Sequence, residues 1–136
     1  MQELVIEANV DKLEEVLDFV NGILEANEAS MKAQVQIDIA VEELFVNIAH
    51  YAYAPEQGMA TIQVTVLDAP KAVEISFVDT GKQYNPLDKS DPDITLSAEE
   101  RQIGGLGIFM VKKSMNDMRY TYENGQNILT ILKEIS

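Results

Sequence analysis

The sequence predicts an α+β fold, a two-layer sandwich in which helices cover one face of a mixed β-sheet. Apolar residues recur at helical spacing in three segments and alternate with polar residues in five others. The order of these segments is β-α-α-β-β-loop-α-β-β, which is typical of helices layered on a sheet. The chain has 136 residues, of which 46% are apolar and 24% charged, so we expect one globular domain over residues 1–136.

The first half of the chain is predicted to contain one strand and two helices. Residues 2–8 form the strand, and Asn9 is placed to cap the helix that follows. Ser30 is placed to cap a second helix that extends to about Tyr53, with Pro55 and Gly58 beyond its end. The apolar stripes of the two helices include Val10, Leu13, Leu17, Val20 and Leu24, then Val35, Ile39, Leu44, Phe45, Ile48, Ala49 and Ala52.

The second half is predicted to contain two hairpins separated by a loop and a helix. Ile62, Val64 and Val66 alternate with polar residues, and Val73, Ile75 and Phe77 do so after a turn at residues 69–71. Residues 79–104 predict a long loop with one short turn of helix. A third helix runs from Gly105 to about Met115, and Asn124-Gly125 joins the last two strands.

Composition excludes several kinds of site. The absence of cysteine excludes disulfide scaffolds, zinc ribbons and thiol nucleophiles, and a single histidine excludes a multi-histidine metal centre. No apolar run approaches the roughly 18 residues of a membrane span. The N-terminal residues lack the basic and then apolar pattern of a secretory signal. We therefore expect a cytoplasmic protein that is not bound to a membrane.

The charge distribution argues against nucleic acid as the main ligand, since the net charge is −13. Residues 1–81 hold fifteen acidic and three basic residues, whereas residues 82–119 hold six of each. A small anionic ligand is therefore expected in the second half of the chain, and a basic partner would favour the first half. Simple solubility explains the same charge equally well.

One candidate cluster lies in the second helix, where Glu42-Glu43-x-x-x-Asn47 occurs among apolar residues. Glu43 and Asn47 are four residues apart and therefore point in the same direction. A carboxylate and a carboxamide on one face could bind a metal and orient a nucleophile. An ordinary acidic pair on a solvated helix surface is the alternative, and the cluster alone favours it.

Two further clusters contain glycine. Asp79-Thr80-Gly81 ends an apolar strand, where it could present a carboxylate to a flat ligand or simply form a turn. Gly104-Gly105-Leu106-Gly107 opens the third helix. Its free N–H groups and the helix dipole favour a phosphate site over a flexible hinge, although neither the Walker A nor the dinucleotide glycine pattern is present.

In this order, the three clusters resemble the N, G1 and G2 boxes of the Bergerat-fold ATP-binding superfamily, whose members include gyrase ATPase and histidine-kinase catalytic domains. Within it, the chain resembles the small anti-sigma factor serine/threonine kinases over essentially its whole length. The resemblance is strongest in residues 41–53, VEELFVNIAHYAY, and residues 103–113, IGGLGIFMVKK. It implies the histidine-kinase-type ATPase fold.

The resemblance also implies roles for individual residues. Glu43 would be the catalytic base, and Asn47 would be the Mg²⁺ ligand. Asp79 would accept the exocyclic amine of adenine, with Gly81 packed under the base. The other residues expected at the nucleotide are Gly105, Leu106 and Gly107 in the phosphate-binding turn, Arg101 just before it, and Asn127 near an adenine-side position. The chain departs from the family pattern at Gln83, where many relatives have a second glycine.

The implied function is that of an ATP- and Mg²⁺-dependent anti-sigma factor. It would phosphorylate a serine or threonine of an anti-anti-sigma antagonist and sequester a sigma factor, and it would form a homodimer as relatives often do. A nucleotide-dependent binding module with little or no kinase activity is the alternative. Glu43 and Asn47 favour the kinase, whereas Gln83 leaves the binding module open. The loop from Lys82 to Gly104 is expected to act as a lid that ATP orders.

Overall fold

The computed structural model describes residues 1–54, 56–88 and 105–136. The predicted order of elements is confirmed, with short 3₁₀ turns at Val10–Lys12 and Pro86–Asp88. The strands are β1 (Gln2–Glu7), β2 (Met59–Leu67), β3 (Ala72–Asp79), β4 (Asp117–Glu123) and β5 (Gln126–Glu134), and the helices are α1 (Leu13–Ala26), α2 (Met31–Tyr51) and α3 (Gly105–Ser114).

The five strands form one sheet in the order β1-β2-β3-β5-β4, and every neighbouring pair is antiparallel. The prediction of a mixed sheet was therefore wrong for the strands that the structure describes. The reason is the place of β5. Strands β3 and β4 run in the same direction, but β5 lies between them and pairs antiparallel with both. Two helices separate β1 from β2, so the chain returns antiparallel there as well.

The helices cover one face of this sheet, which confirms the two-layer α+β arrangement. Alternate residues of the central strands point into the core, where Ile62, Ile75 and Phe77 are at most 1% exposed. Phe45 of α2 is fully buried against this layer. Burying one such side chain contributes about 1.5–3 kcal/mol, and the shared core therefore holds α2 against the sheet.

The predicted cap of α2 is confirmed, but α1 begins at Leu13 without the side-chain cap predicted from Asn9. The Ser30 hydroxyl accepts a hydrogen bond from the Ala33 amide at 3.2 Å and so caps α2. Asn9 caps the 3₁₀ turn that precedes α1, accepting from the Asp11 amide at 2.9 Å. Gly125 has a φ of +76°, as the tight turn between β4 and β5 requires.

Some predictions fall outside the described residues. Arg101 and Gly104 lie there, as does most of the predicted lid between Lys82 and Gly104. Among the helices that the structure does describe, none is both long and apolar enough to cross a membrane.

Candidate active site

A pocket of about 390 Å³ opens between the C-terminal half of α2, the adjoining ends of β3 and β5, and the turn that follows β3. This volume suits a small organic ligand, and apolar walls with a few polar groups are typical of such sites. Its apolar walls include Leu44, Ile48, Phe77 and Leu129, and its polar side chains include Asn47, Asp79, Lys82, Gln83 and Asn127.

Asp79 is the last residue of β3 and is only 6% exposed. Its Oδ1 accepts hydrogen bonds from the Gly81 amide at 2.9 Å and from Asn127 Nδ2 at 3.0 Å. Burial raises the pKa of the Asp79 carboxyl, and these two hydrogen bonds partly offset that effect. Since both bonds end on Oδ1, the second oxygen is the one placed to accept a hydrogen bond from a ligand.

Asn127 of β5 stands directly opposite Asp79 in the strand register. Besides Asp79, its Nδ2 donates to the Lys82 carbonyl at 2.8 Å. Its Oδ1 accepts from the Tyr84 amide at 3.1 Å and from the Tyr120 hydroxyl. A carboxamide has two N–H donors and two acceptor lone pairs, so these four partners use its whole capacity. Asn127 thus lies in the pocket wall, as a side chain that joins three segments.

Gly81 is required by the close approach of the turn to the end of α2. A Cβ atom at this position would lie 2.1 Å from the Ala52 carbonyl oxygen. The Lys82 amide donates to that same oxygen at 2.9 Å. The sequence-based reason for a glycine here was a purine base packed on it. The structure supplies another reason, which is contact with the backbone at the C-terminus of α2.

Tyr53, just past α2, also fixes the end of β3. Its hydroxyl accepts from the Thr80 amide at 2.8 Å and donates to the Met59 carbonyl at 2.6 Å. Its ring covers Gly58, where a Cβ would lie 2.4 Å from a ring carbon. Sequence reasoning missed this function, because the only available signal was an aromatic residue five positions before a glycine.

Helices α2 and α3 come into contact where Glu43 faces the start of α3. Glu43 lies on an exposed part of α2, and its carboxylate is so close to Gly107 that a Cβ there would lie 2.0 Å from Oε2. One turn further along α2, Asn47 lines the pocket. The first turn of α3, which begins at Gly105 and includes Leu106, leaves backbone N–H groups without helical partners. Such N–H groups, with the helix dipole behind them, attract anions.

The side chains of this site fit a metal ion that is held mainly by a bound small molecule and only weakly by the protein. The described residues contain no cluster of three acidic, histidine or cysteine side chains able to hold a metal ion. Mg²⁺ commonly keeps several waters and is bound by one or two protein oxygens together with substrate phosphates. The single carboxamide oxygen of Asn47, which lines the pocket one helical turn from Glu43, is compatible with that mode.

Comparisons with known proteins agree with this geometry. Serine/threonine-protein kinase BtrW of Bordetella bronchiseptica is 26% identical over 102 residues, covering 75% of this chain and 71% of that protein. Serine-protein kinase RsbW of Listeria monocytogenes is 26% identical over 115 residues, covering 81% of this chain and 72% of that protein. These relatives confirm the predicted resemblance to small serine/threonine kinases.

Among solved structures, the histidine kinase domain of the blue-light activated histidine kinase EL346 from Erythrobacter litoralis matches with a TM-score of 0.55 and 12% identity. The match covers 93% of this chain and 60% of that one, and it supports the same fold. The family model of the histidine kinase-like ATPase domain matches residues 6–133. Since that match spans nearly the whole sequence, the chain belongs to the family of histidine kinase-like ATPase domains.

Proposed function

We propose that this protein is an ATP-dependent serine/threonine kinase of the anti-sigma type, with Glu43 as the catalytic base. The observation that carries the proposal is the contact between the Glu43 carboxylate and Gly107 in the first turn of α3. It joins an acid on α2 to an anion-attracting helix start, and the pocket at Asp79 begins one turn further along α2.

In this proposal the pocket binds the adenosine end of ATP. The free oxygen of Asp79 accepts the exocyclic amine of adenine, and the apolar walls at Phe77 and Leu129 contact the base. The phosphates extend past Asn47 towards the N–H groups at the start of α3, where Gly105, Leu106 and Gly107 lie. The negative end of the ligand then meets the positive end of a helix dipole.

A bound Mg²⁺ would offset the charge of the phosphates, which matters in a chain with a net charge of −13. Asn47 would hold it through the carboxamide oxygen. Since Asn47 and Glu43 are one helical turn apart on α2, the side chain that anchors the phosphates lies beside the side chain that activates the acceptor.

The chemical step assigned to Glu43 is removal of a proton from a serine or threonine hydroxyl of a partner protein. As the hydroxyl oxygen bonds to the γ-phosphorus, the bond from that phosphorus to the bridging oxygen breaks and ADP leaves. Exposure of Glu43 supports this role, because the hydroxyl of another protein can reach the carboxylate. The protein need supply little beyond positioning and charge stabilisation.

The partner assignment rests on the resemblance to anti-sigma factor kinases and on the kinase names of the relatives. The phosphorylated partner would be an anti-anti-sigma antagonist, and the sequestered protein a sigma factor. We propose that the phosphorylation and the sequestration take place in the cytoplasm, where ATP is available. We also propose that the protein forms a homodimer.

The test is transfer of label from γ-labelled Mg·ATP to purified anti-anti-sigma candidates. We expect labelled partner protein with the wild type and with the control variant Glu42→Gln. Glu42 is a matched control because it is an exposed acid next to Glu43. Glu43→Gln should lose transfer while still binding ATP. Full transfer by Glu43→Gln would exclude Glu43 as the base.

The altered turn at Gln83 favours a second candidate, a nucleotide-dependent binding module with little catalysis. It predicts that a sigma factor binds in the presence of ATP while no label reaches any partner. The same incubation therefore separates the two functions, because only a kinase moves the phosphoryl group.

A further inference from the structure

We infer that Asn127 is a positioning residue that makes the pocket selective for adenine, because its carboxamide fixes both the orientation of Asp79 and the turn around Gln83. The inference rests on the proposed nucleotide pocket and goes beyond it. It assigns base selectivity to a side chain that acts through Asp79 and makes no contact with the base.

The side-chain amide of Asn127 is saturated with hydrogen bonds. Asn127 donates to Asp79 and to the Lys82 carbonyl, and it accepts from the Tyr84 amide and the Tyr120 hydroxyl. A direct hydrogen bond to a base would require breaking one of these four, in a residue that is only 6% exposed. Leaving a buried partner unsatisfied costs more than a new exposed bond contributes, so Asn127 acts through its neighbours.

Asn127 also limits the rotation of the Asp79 carboxylate. Both hydrogen bonds to its carboxylate end on Oδ1, one from the Gly81 amide and one from Asn127. Two donors on the same oxygen fix the carboxylate plane and leave the other oxygen for the ligand. That oxygen attracts the exocyclic amine of adenine and repels the carbonyl oxygen that guanine carries at the equivalent position. Selectivity therefore depends on the angle that Asn127 helps to set.

Asn127 also holds the turn that departs from the family pattern. Gln83 is exposed and lies between Lys82, whose carbonyl accepts from Asn127, and Tyr84, whose amide donates to it. One side chain thus holds the backbone on both sides of the position where many relatives have glycine. The turn keeps its shape against the pocket although Gln83 lacks the conformational freedom of glycine.

The same geometry predicts a pH signature. Among the residues that the structure describes, the titratable side chains that line this pocket with Asp79 are Tyr51 of α2, Tyr120 of β4, and Lys82 and Tyr84 of the turn. The hydrogen bond from Asn127 lowers the Asp79 pKa against the effect of burial. Removing that donor leaves the carboxylate with less stabilisation, so its pKa rises further. ATP binding that needs ionised Asp79 is then lost at a higher pH than in the wild type.

The experiment compares Mg·ATP and Mg·GTP binding by calorimetry between pH 5 and 8 for the wild type, Asn127→Leu and Asn127→Ser. Thr130→Val is the matched control, because the buried Thr130 also joins β5 to β3, through a half-buried hydrogen bond of 2.8 Å to Ser76. Thermal unfolding of each variant checks the fold, and the smaller serine substitution tests the idea should the leucine variant fail to fold.

We expect both Asn127 variants to lose ATP affinity by about 10- to 100-fold, as for loss of a buried hydrogen bond to a charged group. GTP affinity should change little, and the pH midpoint of ATP binding should move upward. Thr130→Val should alter stability alone. The inference would be overturned if the Asn127 variants kept the wild-type ratio of ATP affinity to GTP affinity and the wild-type pH midpoint of ATP binding. It would also be overturned if the wild type bound both nucleotides equally. If the expected changes in nucleotide binding were observed but the wild type transferred no phosphoryl group, the kinase proposal would fail and the role of Asn127 would stand.

Discussion

Glu43 and Gly107 are in direct contact, and the glycine is there because the carboxylate occupies the space of a side chain. A Cβ at residue 107 would lie 2.0 Å from Glu43 Oε2 and 2.6 Å from its Cδ. The sequence predicted a phosphate site at the glycines that open α3. At this position the glycine also makes room for a side chain of the protein's own α2.

Replacing Gly107 with alanine should therefore displace the proposed base. We expect phosphoryl transfer to fall about tenfold or more, because a small misplacement of a catalytic group costs a large factor in rate. ATP affinity should fall less. Steady-state transfer and calorimetry would measure the two effects separately. Gly22→Ala in α1 is the control, since nothing lies within 4 Å of a Cβ there and alanine favours a helix.

Replacing Gly81 with alanine should disturb the fold as well as the pocket. The new Cβ would lie 2.1 Å from the Ala52 carbonyl oxygen, which belongs to the backbone and cannot rotate away. We expect a loss of about 1–3 kcal/mol in the free energy of unfolding, as for other overpacked sites. Urea denaturation would measure it. Unchanged stability would mean that the turn after β3 is free to move off α2.

Replacing Asp79 with asparagine should stabilise the free protein at neutral pH while weakening ATP binding. Since the folded-state pKa of Asp79 is raised above 3.8, its contribution to stability is greatest below that pH and is lost as the pH rises through the folded pKa. The neutral variant avoids this loss. Its melting temperature should exceed that of the wild type at pH 7, and the gap should narrow as the pH falls towards 4.

Asp68→Asn, in an exposed turn, is the control for this experiment. It should leave the melting temperature nearly unchanged at both pH values. A lower melting temperature for Asp79→Asn at pH 7 would contradict the assignment of a burial cost to the carboxylate.

Replacing Tyr53 with phenylalanine should loosen the end of β3. The change removes a hydroxyl bonded to the Thr80 amide and the Met59 carbonyl and keeps the ring over Gly58. We expect destabilisation of about 1–2 kcal/mol and a few-fold loss of ATP affinity, because Thr80 adjoins Asp79. Tyr122→Phe, at a side chain that is 40% exposed, should change neither quantity.

Much of the fold was predictable from local patterns. Apolar periodicity gave the order of elements, and capping residues such as Ser30 marked helix ends within a residue or two. The resemblance to Bergerat-fold ATPases and small kinases is confirmed by the family match and the relatives. Strand order was not predictable in the same way, because periodicity shows which face of a strand is buried and does not show which strand lies beside it.

The site was predictable to a different extent. Helical spacing was sufficient to place Glu43 and Asn47 on the same face of α2. The position of Asp79 at the end of a strand was sufficient to select it as a candidate site residue. The contacts of Gly81 with Ala52 and of Asn127 with Lys82 join segments far apart in sequence, so no local pattern indicates them. The roles of these residues towards ATP stay predictions, and Arg101 lies outside the described residues.

The place of β5 also bears on how the protein is made. Asp79 meets its partner Asn127 only after another 48 residues have been synthesised. A chain emerging from the ribosome can pair α1 with α2 and β2 with β3 well before that point, but its ligand pocket lacks one wall. ATP bound in the proposed pocket would therefore stabilise the fold only once the late strand has entered the middle of the sheet.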